Sequence, residues 1–146
     1  MKITEGLLGE HALSHALFDQ VEALADEAQT HHELVTLERL LSSTVMSHKT
    51  LEDEVLFPAL VERGYAEVPV DVLRTEHKEI ELLSAAVRAS PSLEDAREVL
   101  FRLIGTLREH FGKEEQVLFP LCERLLGEAK LEELGLAWAR RRGLVH

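Results

Sequence analysis

The chain contains one stretch twice, and this repeat limits the possible folds more than any other feature of the sequence. Residues 48–58 read HKTLEDEVLFP and residues 110–120 read HFGKEEQVLFP. In each copy a His is followed four residues later by a Glu and then by Val-Leu-Phe-Pro. The copies are 62 residues apart, and the same offset relates His15 to His77. Histidines and carboxylates that recur at one offset indicate a metal site built from two similar halves.

The hydrophobic pattern around these motifs predicts an all-α protein. Leu, Ala, Glu and Arg dominate the 146-residue chain, and all four favour helix. Apolar residues recur at spacings of three and four, which puts them on one face of a helix. This pattern predicts four long helices, at about residues 4–28, 33–62, 71–89 and 93–126. The short connectors between them predict an antiparallel up-down-up-down four-helix bundle.

Prolines and glycines predict where these helices end or change geometry. Pro58 and Pro120 lie inside the second and fourth helices, where each should kink the helix or loosen one turn. Residues 65–70 are predicted to form a connector. The bundle should span about residues 4–127, and a short tail helix at about residues 128–142 should lie across it. The chain is long enough for one domain, residues 1–146.

Composition excludes several classes of partner and site. The formal net charge of −11 argues against nucleic acids and anionic membranes, whose phosphates would be repelled. A single cysteine excludes an internal disulfide and a Cys-rich zinc site. No segment approaches the ~20 uncharged apolar residues of a membrane span, and the first residues do not read as a signal peptide. We therefore expect a cytoplasmic protein. No sequence feature specifies a protein partner or an oligomeric state.

Histidines and glutamates on the inward helix faces form the candidate metal site. Residues four apart lie one above the other on a helix, so each His-x3-Glu pair can reach one metal region. His11 and His15 form another pair at this spacing, on the first helix. Burying such groups without a partner costs several kcal/mol or more, and two cations would remove that cost. The predicted ligands are His11, His15, His48, Glu52, His77, His110 and Glu114.

The approximate two-fold repeat predicts how these ligands divide. His11, His15 and His48 come from one half, and the other two histidines come from the second half. Glu52 and Glu114 would bridge the metals, with a water or oxo oxygen between them. One metal would then have three histidines and the other two, which leaves a position open on the second metal. Imidazole and carboxylate ligands suit iron and zinc, whereas the lack of thiolates argues against an iron–sulfur site.

These motifs resemble those of the hemerythrin-like, or HHE cation-binding, family. The resemblance covers about residues 6–127 and includes the acidic residue and the Leu-Phe-Pro that follow each Glu. It implies a four-helix bundle with an oxo- or hydroxo-bridged non-haem di-iron centre, for which zinc or manganese are less favoured metals. It also implies a small ligand such as O2, because family members bind O2, sense O2 or iron, or handle nitric oxide, peroxide and iron.

Two positions depart from the oxygen-carrying members of this family. Those members have a further His four residues before the third-helix His, where this chain has Leu73; His11 lies instead four residues before His15. Glu114 stands where the oxygen carriers have an Asp at a longer spacing. Glu81, four residues after His77, is the rival to His11 as the seventh ligand. These departures bear on oxygen carriage, because bridge geometry tunes the open iron.

The sequence therefore supports three hypotheses. The leading one is a di-iron protein that binds or senses O2 or a related diatomic molecule. The second is an enzyme or stress protein that acts on peroxide or nitric oxide, or handles iron, at the same centre. The third is a structural bundle held by zinc or a mixed metal pair. Acidic residues beside the ligands are predicted to face solvent or to accept hydrogen bonds from the ligand imidazoles: Asp53, Glu54, Glu76 and Glu115.

Overall fold

A computed structural model gives the fold and describes residues 1–64 and 70–146. All regular structure in these two ranges is helical, which confirms the prediction of an all-α protein. No helix within them is both long and apolar enough to cross a membrane. The predicted connector lies outside the described residues except for Val70, where a helix already begins. The α-helices are α1 (Ile3–Glu27), α2 (His31–Leu51), α3 (Phe57–Glu62), α4 (Val70–Ala89), α5 (Leu93–Lys113), α6 (Phe119–Leu125) and α7 (Glu128–Arg141).

Capping side chains fix the starts of α2 and α5. The Thr30 hydroxyl accepts a hydrogen bond from the backbone N–H of Glu33 at 3.2 Å, and the Glu33 carboxylate accepts one from the backbone N–H of Thr30 at 2.9 Å. This reciprocal pair is a capping box, and it places the start of α2 two residues before the predicted one. Ser92 caps α5 with one half of such a pair: its hydroxyl accepts a hydrogen bond from the backbone N–H of Asp95 at 3.1 Å.

Two π-helical segments join the α-helices that contain the repeated motif. The first, Glu52–Leu56, connects α2 to α3, and the second, Glu114–Leu118, connects α5 to α6. Each ends directly before a Phe-Pro pair. Proline lacks an N–H, and its ring collides with the carbonyl four residues earlier in a regular α-helix, so a wider turn relieves the conflict. The prediction that each proline loosens one turn is confirmed.

Two groups of buried apolar residues make up the core. The first cluster includes Ile3, Leu7, Leu60 and Leu131. The second includes Phe18, Val45, Ile80, Leu103 and Phe111. On each of α1, α2, α4 and α5, the candidate ligands lie between residues of the first cluster and residues of the second. For α2 and α5 this includes the π-helical segment that follows the helix. The polar site is therefore enclosed by apolar packing at both of its ends.

The tail helix α7 packs closely on α1. A Cβ atom added to Gly135 would collide with the carbonyl oxygen of Met1, and one added to Gly6 would lie 2.8 Å from the ring of Trp138. Leu131 is fully buried and belongs to the first cluster. The prediction of a tail helix is confirmed, and glycine on both sides of the contact lets the two helices approach this closely.

Candidate metal centre

Six of the seven predicted ligands meet in the middle of the helices. Each of the six residues is at most 3% exposed. They form two groups of four, in which one ligand atom from each residue lies within 4.8 Å of the others. Both glutamates belong to both groups, so the groups form one continuous cluster. The first group is His11, His48, Glu52 and Glu114, and the second is Glu52, His77, His110 and Glu114.

Each glutamate points one carboxylate oxygen at each group. Glu52 Oε1 lies 3.3 Å from Nε2 of His48, and its Oε2 lies 3.4 Å from Nε2 of His77. Glu114 does the same from the opposite copy of the repeat: its Oε2 is 3.1 Å from Nε2 of His11, and its Oε1 is 2.7 Å from Nε2 of His110. Both side chains thus have the orientation that a carboxylate shared by two cations needs.

The imidazoles turn the same nitrogen atom towards the centre. The Nε2 atoms of His11 and His48 are 3.0 Å apart, and so are those of His77 and His110. The opposite nitrogen, Nδ1, lies in each case beside a carboxylate oxygen at 2.7–3.1 Å. An Nδ1–H that donates to a carboxylate leaves an Nε2 lone pair directed inward, which is how histidine binds metals. The pairs are His11–Glu115, His48–Glu10, His77–Asp53 and His110–Glu76.

Among the described residues, no Lys or Arg side chain pairs with the two glutamates of the centre. In the part of the chain that the structure describes, the only buried side-chain oxygen or nitrogen atoms without a hydrogen-bond partner are the four carboxylate oxygens of Glu52 and Glu114. A fully buried carboxylate needs a compensating charge or hydrogen bonds. Two cations between the carboxylates and the Nε2 lone pairs supply that charge, so the donor set fits a pair of metal ions.

The pKa values of the site also show the effect of the buried carboxylates in the protein without metal. Burial by itself would raise the pKa of Glu114, but the contacts with His11, His110, His48 and His77 hold it well below its ordinary value. Burial would lower the pKa of His77, yet Glu114 and Glu52 raise it to about 9. The nearby carboxylates likewise raise the pKa values of His48 and His110, so without a metal these three imidazoles hold protons more tightly than in water. Because metal ligands must be deprotonated, cations would displace these protons.

Phenylalanine rings cover two of the imidazoles. Phe111 stacks on His11 with ring centroids 3.8 Å apart and planes 5° from parallel. Phe57 stacks on His77 at 5.7 Å and 20°, and Phe119 lies 5.2 Å from His11. Phe57 and Phe119 come from the Leu-Phe-Pro that follows each glutamate. This string therefore packs against the histidines and keeps water away from the site.

The structure does not bring His15 into either group. Its side chain is 40% exposed, and its Nε2 lies 2.8 Å from Glu115 Oε1, the same oxygen that accepts from His11. Glu81 is also outside, because it is 49% exposed and pairs with Lys49 at 2.7 Å. Each group consequently contains two histidines, in place of the expected division into three and two.

A second offset in the sequence explains this arrangement. The dipeptide Glu-His occurs at Glu10-His11, Glu76-His77 and Glu109-His110, and the first two copies are 66 residues apart. The α2 and α5 residues repeat instead at 62. The difference of four residues is about one helical turn, so His15 and His11 both lie on the inward side of α1. Glu10 was not predicted, although this dipeptide repeat was the signal that could have found it.

The fold and the buried cluster define a helical protein with a site able to bind metal ions. The chain belongs to the hemerythrin family: it matches the hemerythrin HHE cation-binding domain over residues 2–122. This confirms the resemblance seen in the sequence motifs. The matched region contains both groups of ligands and ends before α7. Neither the comparison with curated proteins nor the comparison with solved structures gives a match.

Proposed function

We propose that this chain is a single-domain, non-haem di-iron protein that binds O2 or a related small molecule. The observation that carries the proposal is the set of four buried, unpartnered carboxylate oxygens facing four imidazole nitrogens. The proposed metal ligands are His11, His48, Glu52, His77, His110 and Glu114. When bound, two iron ions would supply redox chemistry and coordination positions for the small molecule.

We also propose the up-down-up-down bundle as the arrangement of the four long helices. The order of the core residues supports it. On α1 and α4 the residue before the ligand belongs to the first apolar cluster, as with Leu7 and Leu73, and the next core residues belong to the second cluster. On α2 and α5 the order is reversed, as with Val45 and Leu107. Helices that run alternately in opposite directions give this pattern.

The side chains would hold a metal pair while leaving it accessible to a further ligand. Each position would receive two imidazoles and one oxygen from each of Glu52 and Glu114. Imidazoles and carboxylates are hard or borderline donors that suit iron, manganese and zinc. The bound metal ions would supply any further coordination positions that a small molecule uses. The carboxylates on Nδ1 fix the imidazole tautomers, and the phenylalanine rings exclude bulk water.

Iron content and absorption test this proposal. After anaerobic reconstitution, we expect about two iron ions per chain, and addition of O2 should change the near-ultraviolet and visible absorption. Glu52→Gln should lower the iron content, because it weakens a ligand offered to both positions. Glu81→Gln is the matched control, because Glu81 lies outside the cluster and pairs with Lys49. Wild-type protein that retains less than about one iron would overturn the proposal.

Turnover of peroxide or nitric oxide is the second candidate function. The equal donor sets of the two groups favour it, because two similar positions let one small molecule meet both metals. This function predicts that iron-loaded wild-type protein consumes peroxide and that His110→Ala does not. Stable and reversible oxygenation, without consumption of peroxide or nitric oxide, would contradict turnover and support binding.

A further inference from the structure

The tail reaches the metal centre through Glu10. The indole N–H of Trp138 donates to Glu10 Oε1 at 2.7 Å, and the guanidinium of Arg142 donates to Oε1 at 2.6 Å and to Oε2 at 3.1 Å. Glu10 Oε2 also accepts from Nδ1 of His48 at 2.7 Å. A continuous path of hydrogen bonds therefore runs from the end of α7 to one ligand of the first group.

Arg142 fixes the backbone beside the same ligand. It donates to the hydroxyl of Ser47 at 2.7 Å and to the Ser47 carbonyl at 3.3 Å. Ser47 directly precedes His48 in α2. One guanidinium thus holds both the carboxylate that orients the imidazole and the residue next to it, in the planar, multidentate manner that arginine allows.

Within residues 1–64 and 70–146, the second group has no such support from a distant segment. Glu76 occupies the place of Glu10, because its Oε2 accepts from Nδ1 of His110 at 2.7 Å. Its other oxygen pairs with Lys113, which lies three residues after His110 on the same helix. The two groups therefore have identical donor sets but different anchors: a distant segment for the first and a local lysine for the second.

The position of α7 is set tightly enough to matter for Glu10. Gly135 lies against the backbone of Met1, Lys2 and Ile3, and the Trp138 ring lies over Gly6, one helical turn before Glu10. A shift of α7 would therefore move Trp138 and Arg142 relative to Glu10. The indole is only 9% exposed, so few other positions are open to it.

We propose that α7 and Arg142 form a positioning element for the metal bound by His11 and His48, making the two metal positions unequal. This inference rests on the proposed function. Carboxylates that orient metal-binding histidines affect metal affinity, and the tail holds such a carboxylate in place. Because coupling between two equilibria is reciprocal, a metal at the first position also stabilises the docked tail.

Anaerobic calorimetric titration with Fe²⁺ tests the inference. In Arg142→Ala, one of the two binding steps should weaken by roughly 10- to 100-fold while the other keeps its wild-type affinity. Arg142→Lys should recover part of the loss. Arg141→Ala is the matched control. Arg141 has the same charge and directly precedes Arg142, but it pairs with the half-exposed Glu54. We expect wild-type binding from it.

A second variant and a second measurement separate positioning from a general structural role. Gly135→Ala should displace α7 without changing any group at the centre, and it should weaken the same binding step as Arg142→Ala. Hydrogen exchange should slow in the α7 amides of the wild type when Fe²⁺ binds. In Arg142→Ala this effect should be smaller.

The outcomes distinguish this inference from the proposed function. Two iron ions bound by Arg142→Ala with wild-type affinities would overturn the inference alone. Equal weakening of both steps would also overturn it, because it would show a general loss of structure. A wild-type protein that binds no iron would overturn the proposed function and this inference with it. Loss of one step alone, with slower α7 exchange on loading, would support both.

Discussion

The described parts of the chain bury carboxylates in two regions, and the surroundings of these carboxylates differ. Glu38, on α2, is fully buried, and the guanidinium of Arg88 donates to its two oxygens at 3.0 and 3.1 Å. Glu52 and Glu114 are equally buried, yet their oxygens have no hydrogen-bond partner. Where the fold needs a buried ion pair, the chain supplies the cation. At the metal centre the described residues supply imidazole nitrogens and carboxylate oxygens that can bind a metal, so a metal ion would provide the positive charge.

This difference has a consequence for stability. The Glu38–Arg88 pair forms within one chain as soon as α2 and α4 meet, so its contribution does not depend on solution conditions beyond pH and salt. The centre gathers its negative charge from two π-helical segments and is complete only with cations. Metal should therefore change the stability of the protein through the centre alone.

The largest effect is expected from removal of a shared glutamate. Glu114→Ala deletes the oxygens that face both His11 and His110. Because these oxygens belong to both groups, we expect the variant to lose both metals rather than one. Elemental analysis after anaerobic reconstitution measures this loss, and circular dichroism checks that the helices persist. Two tightly held ions per chain in the variant would show that Glu114 is not a shared ligand.

The next effect is expected at the other buried carboxylate. Arg88→Ala leaves Glu38 buried without its cation, and breaking a buried pair in this way costs about 3–5 kcal/mol. Arg88 itself is partly exposed, so we expect the lower end, about 3 kcal/mol, in the free energy of unfolding. Urea denaturation measures it. The metal content should stay at the wild-type value.

The double variant Arg88→Ala/Glu38→Gln is the control for the Arg88→Ala prediction. Glu38→Gln removes the buried charge, so in the Arg88→Ala background it should recover much of the lost stability. If the double variant were as unstable as Arg88→Ala, packing of the arginine side chain would explain the loss better than the unpaired carboxylate.

Metal removal should have a somewhat smaller effect on stability. A ligand that binds only the folded state at 100 times its dissociation constant stabilises that state by about 2.7 kcal/mol. Chelation should lower the free energy of unfolding by about this amount in the wild type and in Arg88→Ala alike. Thermal or urea denaturation with and without metal measures it. A similar metal effect in Glu114→Ala would contradict binding at the centre.

The sequence was sufficient for the helices and for the two glutamates that face both groups, because both depend on local spacing. Apolar periodicity predicts the helices, and the His-x3-Glu motif places each His and Glu on one face over a single turn. The positions of Pro58 and Pro120 inside predicted helices likewise predicted the loosened turns before them. These features need no knowledge of how the helices are aligned against one another.

The alignment of α1 against the other helices was beyond the reach of local spacing. The offset of 62 makes His15 the equivalent of His77. In the structure the equivalent residue is His11, because His11 faces His48 just as His77 faces His110. A shift of one turn leaves the helical periodicity unchanged, so only packing decides it. The path from Arg142 to Glu10 was unpredictable for the same reason, since it joins segments that are 132 residues apart.

The smallest effect is expected from the histidine that the structure leaves outside the cluster. His15 touches the centre only through Glu115, which also accepts a hydrogen bond from His11. Without His15, that carboxylate can still accept from His11 and meet solvent with its free side. We therefore expect His15→Ala to retain both metals and to change the free energy of unfolding by no more than about 0.5 kcal/mol, as at other surface positions.

The matched variant is His11→Ala, one helical turn away on the same helix. It removes a fully enclosed imidazole from the first group, so the protein should retain one metal of the two. Iron analysis of the two variants side by side decides between the two histidines. If His15→Ala lost a metal and His11→Ala kept both, the alignment of α1 would be one turn away from that described here, and the 62-residue offset would hold throughout the chain.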